Sequence, residues 1–371
     1  MKNLILISII SICISGCSFE NNLNIPQTPS ASLNEFVKSS SIQYMYLDNS
    51  PVKHIVLDSI NIIINTYSEE LDSKPKLSRI RDYTYFKERF YVYDNIRSSI
   101  FMVFKNGDIE GPFTSQGRGP GEHDVTTTIS SNSKYIYLPD WNNARINIYN
   151  HDMILVKEIS NFKGVYKTKY IDVNDRIMLF SNPKKAGFVS QAPLEGLISI
   201  SDISNPADTI ATILPQIIPD GYQPQIYNRP NFSLNRKNEI AASYAPLPWI
   251  FLFDDKFNLK LTLILNYSVL DEMDIPDMDI FKPAGNEGFG GVMPLRKFKL
   301  MDNGDIFISI GSELIHLSYD SSGSYRPHAR YRFYTLNEDE PLWISNLFST
   351  GTEGVYYAGN WDYLFQINLP E

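Results

Sequence analysis

Chemistry needs titratable or nucleophilic side chains at short range, and this sequence offers three places to look. The first is DEMDIPDMD, which crowds Asp271, Glu272, Asp274, Asp277 and Asp279 into one short stretch. Carboxylate oxygens suit hard cations, so Asp274, Asp277 and Asp279 are the candidates for a Ca²⁺ site or a cationic ligand. The run lacks the Asp-x-Asp-x-Asp-Gly pattern of a calcium loop, and a solvated acidic loop explains it more simply. No other cofactor is expected. The second is the histidine set: His54, His123, His151, His316 and His328. No two make an HxH or HExxH pair, and no GxSxG elbow marks a serine nucleophile.

The third is TSQGRGPGEHD, residues 114–124, with Gly117, Gly119 and Gly121 around Arg118 and Pro120. A phosphate loop would need the Lys-Ser/Thr that is missing, and a dinucleotide site would need GxGxxG running into a helix. The stretch reads instead as a sharp corner, with glycines free to take positive φ and Pro120 stiffening it. Glu122 is expected to pair with Arg118 or with backbone N–H groups. Arg118 is also a candidate ligand contact.

The elements that hold these residues begin after a targeting segment. MKNLILISIISICISGCSFE has a positive start, an apolar run over 4–14 and small residues before Cys17. The run is too short to span a bilayer and suits a signal peptide over residues 1–16. Ile14-Ser15-Gly16-Cys17 matches a bacterial lipobox, so Cys17 is the expected lipidation site. Lipid on Cys17 would leave the mature chain no other cysteine, hence no disulfide and no thiol chemistry. Residues 17–50, rich in Asn, Ser and Pro, read as a lipidated tether, and residues 51–371 as the folded domain. The expected address is the outer membrane, facing periplasm or cell surface. The chain carries 33 basic and 42 acidic residues and no long basic run, which argues against nucleic acid as a partner.

Past the tether the pattern is β throughout. Tyr (23) and Phe (21) are abundant, which suits strands. A polar turn followed by an apolar strand recurs in KERFYVYD, NSKYIYLPD, VNDRIMLFS, RKNEIAASY, DNGDIFISI and TEGVYYAGN. The matching positions Phe90, Ile136, Ile177, Ile240, Ile306 and Val355 lie 46, 41, 63, 66 and 49 residues apart. The shorter gaps fit a four-stranded propeller blade. A second strand follows each, then a tight turn and a third strand, and an earlier strand precedes each unit. The last unit stops at DYLFQINLPE without an outer strand, while SINIIINTY (59–67) has no blade of its own. The expectation is an all-β, six-bladed β-propeller in which this N-terminal strand completes the last blade and removes the open edge.

The stretch GRGPGE, followed by YLPDWNNARINIYN, resembles the six-bladed β-propeller lipoproteins of Gram-negative bacteria, relatives of the NHL-repeat and TolB-like propellers. The NHL-like core of the likeness is Asp140, Asn143, Arg145, Ile146 and Tyr149. The likeness implies fold and envelope address and adds little about chemistry.

Let the strands of a blade run A to D from channel to rim. The B–C and D–A connections then share one face, and the insertions 181–196, 214–230 and 266–294 gather there beside GRGPGE. Long loops on one side of a rigid scaffold carry recognition. The candidate ligand contacts on that face are Arg118, Trp141, Asn143, Arg145, Tyr244, Trp249 and Trp361, because Trp, Tyr, Arg and amides stack on and hydrogen-bond to sugars and peptides. Trp141 and Trp361 lie in B–C connections. The expected function is a lipid-anchored module that binds a protein, peptide or glycan. The alternative is a hydrolase or lyase, with or without a metal, working at the channel mouth.

Overall fold

A computed structural model describes residues 36–57, 62–66, 76–124, 126–160, 170–181, 196–206, 208–215, 230–244, 247–272, 295, 297–336, 340–349 and 354–369. They form six sheets, each built on antiparallel blade strands that start at the axis and step outward, two of them with a further parallel strand at the rim. Blade 1 has strands A to D at Ile80–Phe86, Arg89–Asp94, Ser99–Phe104 and Ile109–Glu110. Blade 2 has Ser130–Ser131, Tyr135–Asp140, Arg145–Asn150 and Leu155–Ser160. Blade 3 has Ile171–Val173, Ile177–Ser181, Ile198–Asp202 and Thr209–Ile213. Blade 4 has Pro230–Leu234, Ile240–Tyr244, Trp249–Phe253 and Leu259–Asn266. Blade 5 has Lys297–Leu300, Ile306–Ile310, Glu313–Tyr319 and Tyr325–Thr335. Blade 6 contributes A to C at Asn346–Ser349, Val355–Gly359 and Tyr363–Asn368. The A strands pack in sequence around the axis, and blade 6 meets blade 1 to close the ring.

The burial pattern follows from this geometry. Strands B and C are covered on both faces by neighbouring blades, so IAASY and WIFLF are buried at every position. Such strands read as continuous apolar runs rather than as alternation. The outer strand faces solvent and is mixed, as in LVKEIS. Every such core side chain adds about 1.5–3 kcal/mol.

The ring is closed as the sequence pattern predicts. Strand β3 (Ile62–Asn65) pairs antiparallel with the last strand, Asn65 opposite Tyr363 and Ile64 opposite Leu364, and serves as strand D of blade 6. The boundary at residue 50 is corrected. Residues expected in the tether form β1 (Ser41–Tyr46), which lies parallel to Leu259–Asn266 at the rim of blade 4. Then β2 (Val52–Leu57) lies parallel to Tyr325–Thr335 at the rim of blade 5. One N-terminal strap thus visits three successive blades. Met45 and Leu47 enter the core between blades 4 and 5, which is what orders a segment whose composition is polar on average. Cys17 lies outside the described residues.

On the face of the A–B turns, asparagines join one blade to the next. The Oδ1 of Asn132, Asn174 and Asn235 accepts N–H groups of its own turn. The Nδ2 reaches onward: Asn132 to Asn174 O (3.2 Å), Asn174 to Asn235 O (2.9 Å), and Asn235 to Met301 O (3.3 Å). The recurring polar turn of the sequence is therefore a lateral clamp as well as a turn.

Candidate functional site

The opposite face, carrying the B–C and D–A connections, holds three groupings. The first is the glycine corner, which leads from blade 1 to blade 2. Glu122 turns back and accepts the Gly119 N–H at 2.7 Å. A β-carbon on Gly117 would stand 2.1 Å from Glu122 Oε2, so any other residue there displaces that carboxylate. Gly121 has φ +74°, the left-handed region that glycine takes without strain.

Arg145 holds the corner from the side. Its guanidinium donates to Gly119 O (2.9 Å), Glu122 O (2.6 Å), Asp140 Oδ2 (3.1 Å) and Glu158 Oε1 (3.0 Å). Asn143 donates to Gly117 O (3.0 Å) and Asp140 Oδ2 (2.7 Å). Asp140, fully buried, also accepts the Asp124 N–H at 3.1 Å. Asp140, Asn143 and Arg145 of blade 2 thus build the corner, and the donors of Asn143 and Arg145 point into it. Blade 1 repeats the device in outline: Asp94 accepts from Ser78 N (2.5 Å), Ile96 N (3.0 Å) and Arg97 N (3.1 Å). Arg118 stays exposed at the tip. His123 is buried edge-on to Tyr93, ring centroids 5.3 Å apart, and burial lowers its pKa to about 4.

The second grouping is aromatic. Trp361 sits in the B–C turn of blade 6, 36% exposed. The Arg79 guanidinium stacks 3.9 Å from its ring centroid, and Trp343 meets it edge-on at 5.0 Å. The Ile80 N–H donates to Trp361 O at 2.7 Å, which ties this turn to the start of blade 1. Trp141, in the matching turn of blade 2, is half-buried. Two candidates from the sequence move into the core. Tyr244 is fully buried with its hydroxyl donating to Pro215 O, and Trp249 packs in the core of blades 3 and 4. Both lie in strands B and C of blade 4, where both faces are covered, so neither reaches solvent. Asp274, Asp277 and Asp279 lie outside the described residues, as do most of the three long insertions. Among the described residues no three His, Cys, Asp or Glu side chains group as metal ligands.

The third grouping, which sequence reasoning missed, is on the axis. Asp82, from the inner strand of blade 1, accepts the Ile129 N–H of blade 2 (3.0 Å) and Asn346 Nδ2 of blade 6 (2.5 Å). Lys297 Nζ of blade 5 completes its shell at 2.8 Å. Asp172 of blade 3 accepts from Ser130 Oγ of blade 2 (3.1 Å), Val173 N (3.0 Å) and Leu234 N of blade 4 (2.9 Å). Lys299 Nζ stands 3.7 Å from the same carboxylate. Blade 5 is not a neighbour of blades 1 or 3, so both pairs cross the channel. Lys297 opens its A strand on the side of the long loops, with Asp82 at a matching register, whereas Asp172 and Lys299 lie deeper in the channel, closer to the A–B turns. The only sequence signal was polar residues two apart in KFKL, which alone says nothing of partners.

No protein-family model matches the chain, and no curated protein matches it. Solved structures do. An exported protein of Bacteroides fragilis superposes with a TM-score of 0.53 at 12% identity, covering 89% of this chain and 100% of that one. A gluconolactonase of Xanthomonas campestris gives 0.44 at 12% identity, covering 76% and 82%. The virginiamycin B lyase of Staphylococcus aureus gives 0.44 at 11% identity, covering 84% and 98%. At 12% identity the first likeness is one of fold.

Proposed function

We propose that this protein is an envelope-anchored binding module, held by lipid on Cys17, that presents the B–C and D–A face of its propeller to a glycan, peptide or protein. The observation that carries the reading is Trp361, an exposed indole held in place by Arg79 on its face and Trp343 at its edge. A rigid aromatic beside an arginine is the chemistry that dominates binding surfaces, since it buries much area at little entropic cost. The lipobox and signal peptide support the address.

The test is a thermal-shift panel of cell-wall fragments, oligosaccharides and peptides on the purified full chain. A ligand at 100 times its dissociation constant stabilises by about 2.7 kcal/mol. Trp361→Ala is expected to weaken the responding ligand by about 2 kcal/mol or more. An unchanged shift in that variant would remove Trp361 from the site. Turnover of a panel member, read by mass spectrometry, would support the hydrolase or lyase reading instead.

A further inference from the structure

We infer that the channel holds a second, separate site, for a carboxylate or phosphate group, built on Lys297 and Lys299. Asp82 and Asp172 are spent: each accepts two or three hydrogen bonds from backbone N–H, hydroxyl or amide groups besides its lysine. The lysines are not. Lys297 uses one donor on Asp82 and its side chain remains 36% exposed. Lys299, 25% exposed, lies 3.7 Å from Asp172, beyond hydrogen-bond reach, and 5.6 Å from the centroid of the Phe348 ring, and it makes no hydrogen bond to a described group. An ammonium has three N–H donors, so two on Lys297 and three on Lys299 have no hydrogen-bond acceptor among the described residues.

The two lysines are two apart on one strand, so they point to the same face, their α-carbons about 7 Å apart along the strand. A group with several acceptor oxygens satisfies such a pair better than any single carbonyl does. Charge-assisted N⁺–H···O⁻ bonds are roughly twice as strong as neutral ones, and the surrounding protein screens them less than bulk water would. The formal charge of the four side chains is zero. An anion therefore gains from oriented donors and not from a surplus of positive charge.

The test is calorimetry on the full chain at ~150 mM NaCl, with glucuronate, glucose 6-phosphate and inorganic phosphate as probes and glucose as the neutral control. At least one anionic probe is expected to bind more tightly than about 1 mM, with glucose at least tenfold weaker. The double variant Lys297→Gln, Lys299→Gln should lose the anion by tenfold or more, and Lys297→Arg, Lys299→Arg should retain it. Which anionic probe responds separates a carboxylate site from a phosphate site. Trp361→Ala should leave the anion bound, which keeps this site distinct from the aromatic one. No response to any anion, or equal binding by the glutamine and arginine variants, would overturn the inference. A glutamine variant that fails to fold leaves the decision to the parent and arginine proteins, where no binding of any anion refutes it.

Discussion

Arg145 offers the sharpest division between a ligand contact and a structural corner. The perturbation is Arg145→Ala. The guanidinium is 9% exposed and its partner Asp140 is fully buried. Removal strips two backbone carbonyls, Gly119 O and Glu122 O, of a donor and leaves Asp140 charged with only Asn143 and backbone N–H groups around it. Breaking one side of a buried pair costs about 3–5 kcal/mol, a large share of the about 5–15 kcal/mol that holds a folded protein together. Urea unfolding at neutral pH measures it. Arg145→Lys is expected to recover less than half, because one ammonium cannot reach Asp140, Glu158 and two loop carbonyls as a planar fork does. A midpoint for Arg145→Ala within about 1 kcal/mol of the parent, together with lost ligand response, would refute the structural assignment and restore Arg145 as a binding residue.

Two further outcomes test the frame around the site. Burial depresses the His123 pKa from 6.5 to about 4, so the unfolded chain binds the proton first. Its contribution is complete above pH 6.5 and is lost as pH falls toward 4, by about 3 kcal/mol in all. Urea unfolding of His123→Gln between pH 7 and pH 4 should show a correspondingly flatter acid limb, and an identical limb would contradict the assignment. At the other face, Asn174→Ala removes donors to Asn235 O and Asn238 Oδ1 and the acceptor for two turn N–H groups. It should cost about 2–4 kcal/mol in equilibrium unfolding, and a loss under about 0.5 kcal/mol would show the asparagine clamps to be incidental.

Much of this architecture is determined by local sequence. Strands B and C are covered on both sides, so IAASY, WIFLF and RFYVYD are unmistakable apolar runs, and the polar turns before them mark the period. The incomplete last unit and the unassigned strand near the N-terminus identified the closure, because a propeller cannot leave an edge open cheaply. The glycine corner was legible for the same kind of reason: three glycines and a proline in five residues dictate a turn whatever surrounds them. Its internal bookkeeping was half legible, since Glu122 was expected to seek Arg118 or backbone N–H and found the latter.

What only the tertiary structure decided was which side chains meet across long separations. Tyr244 and Trp249 carry the residue types of a binding face, yet their strands turn them into the core. Strand β1 sits in a polar stretch, and its place at the rim rests on pairing with Leu259–Asn266 and on the burial of Met45 and, just after it, Leu47. The pairs Asp82–Lys297 and Asp172–Lys299 join residues from blades that are neighbours neither in sequence nor around the ring. Their meeting depends on six inner strands converging on one axis. Periodicity reports what a strand packs against, through hydrophobic burial that every blade repeats. It carries no record of which polar side chain closes the gap at the centre, because the residues that make those contacts differ in type from blade to blade.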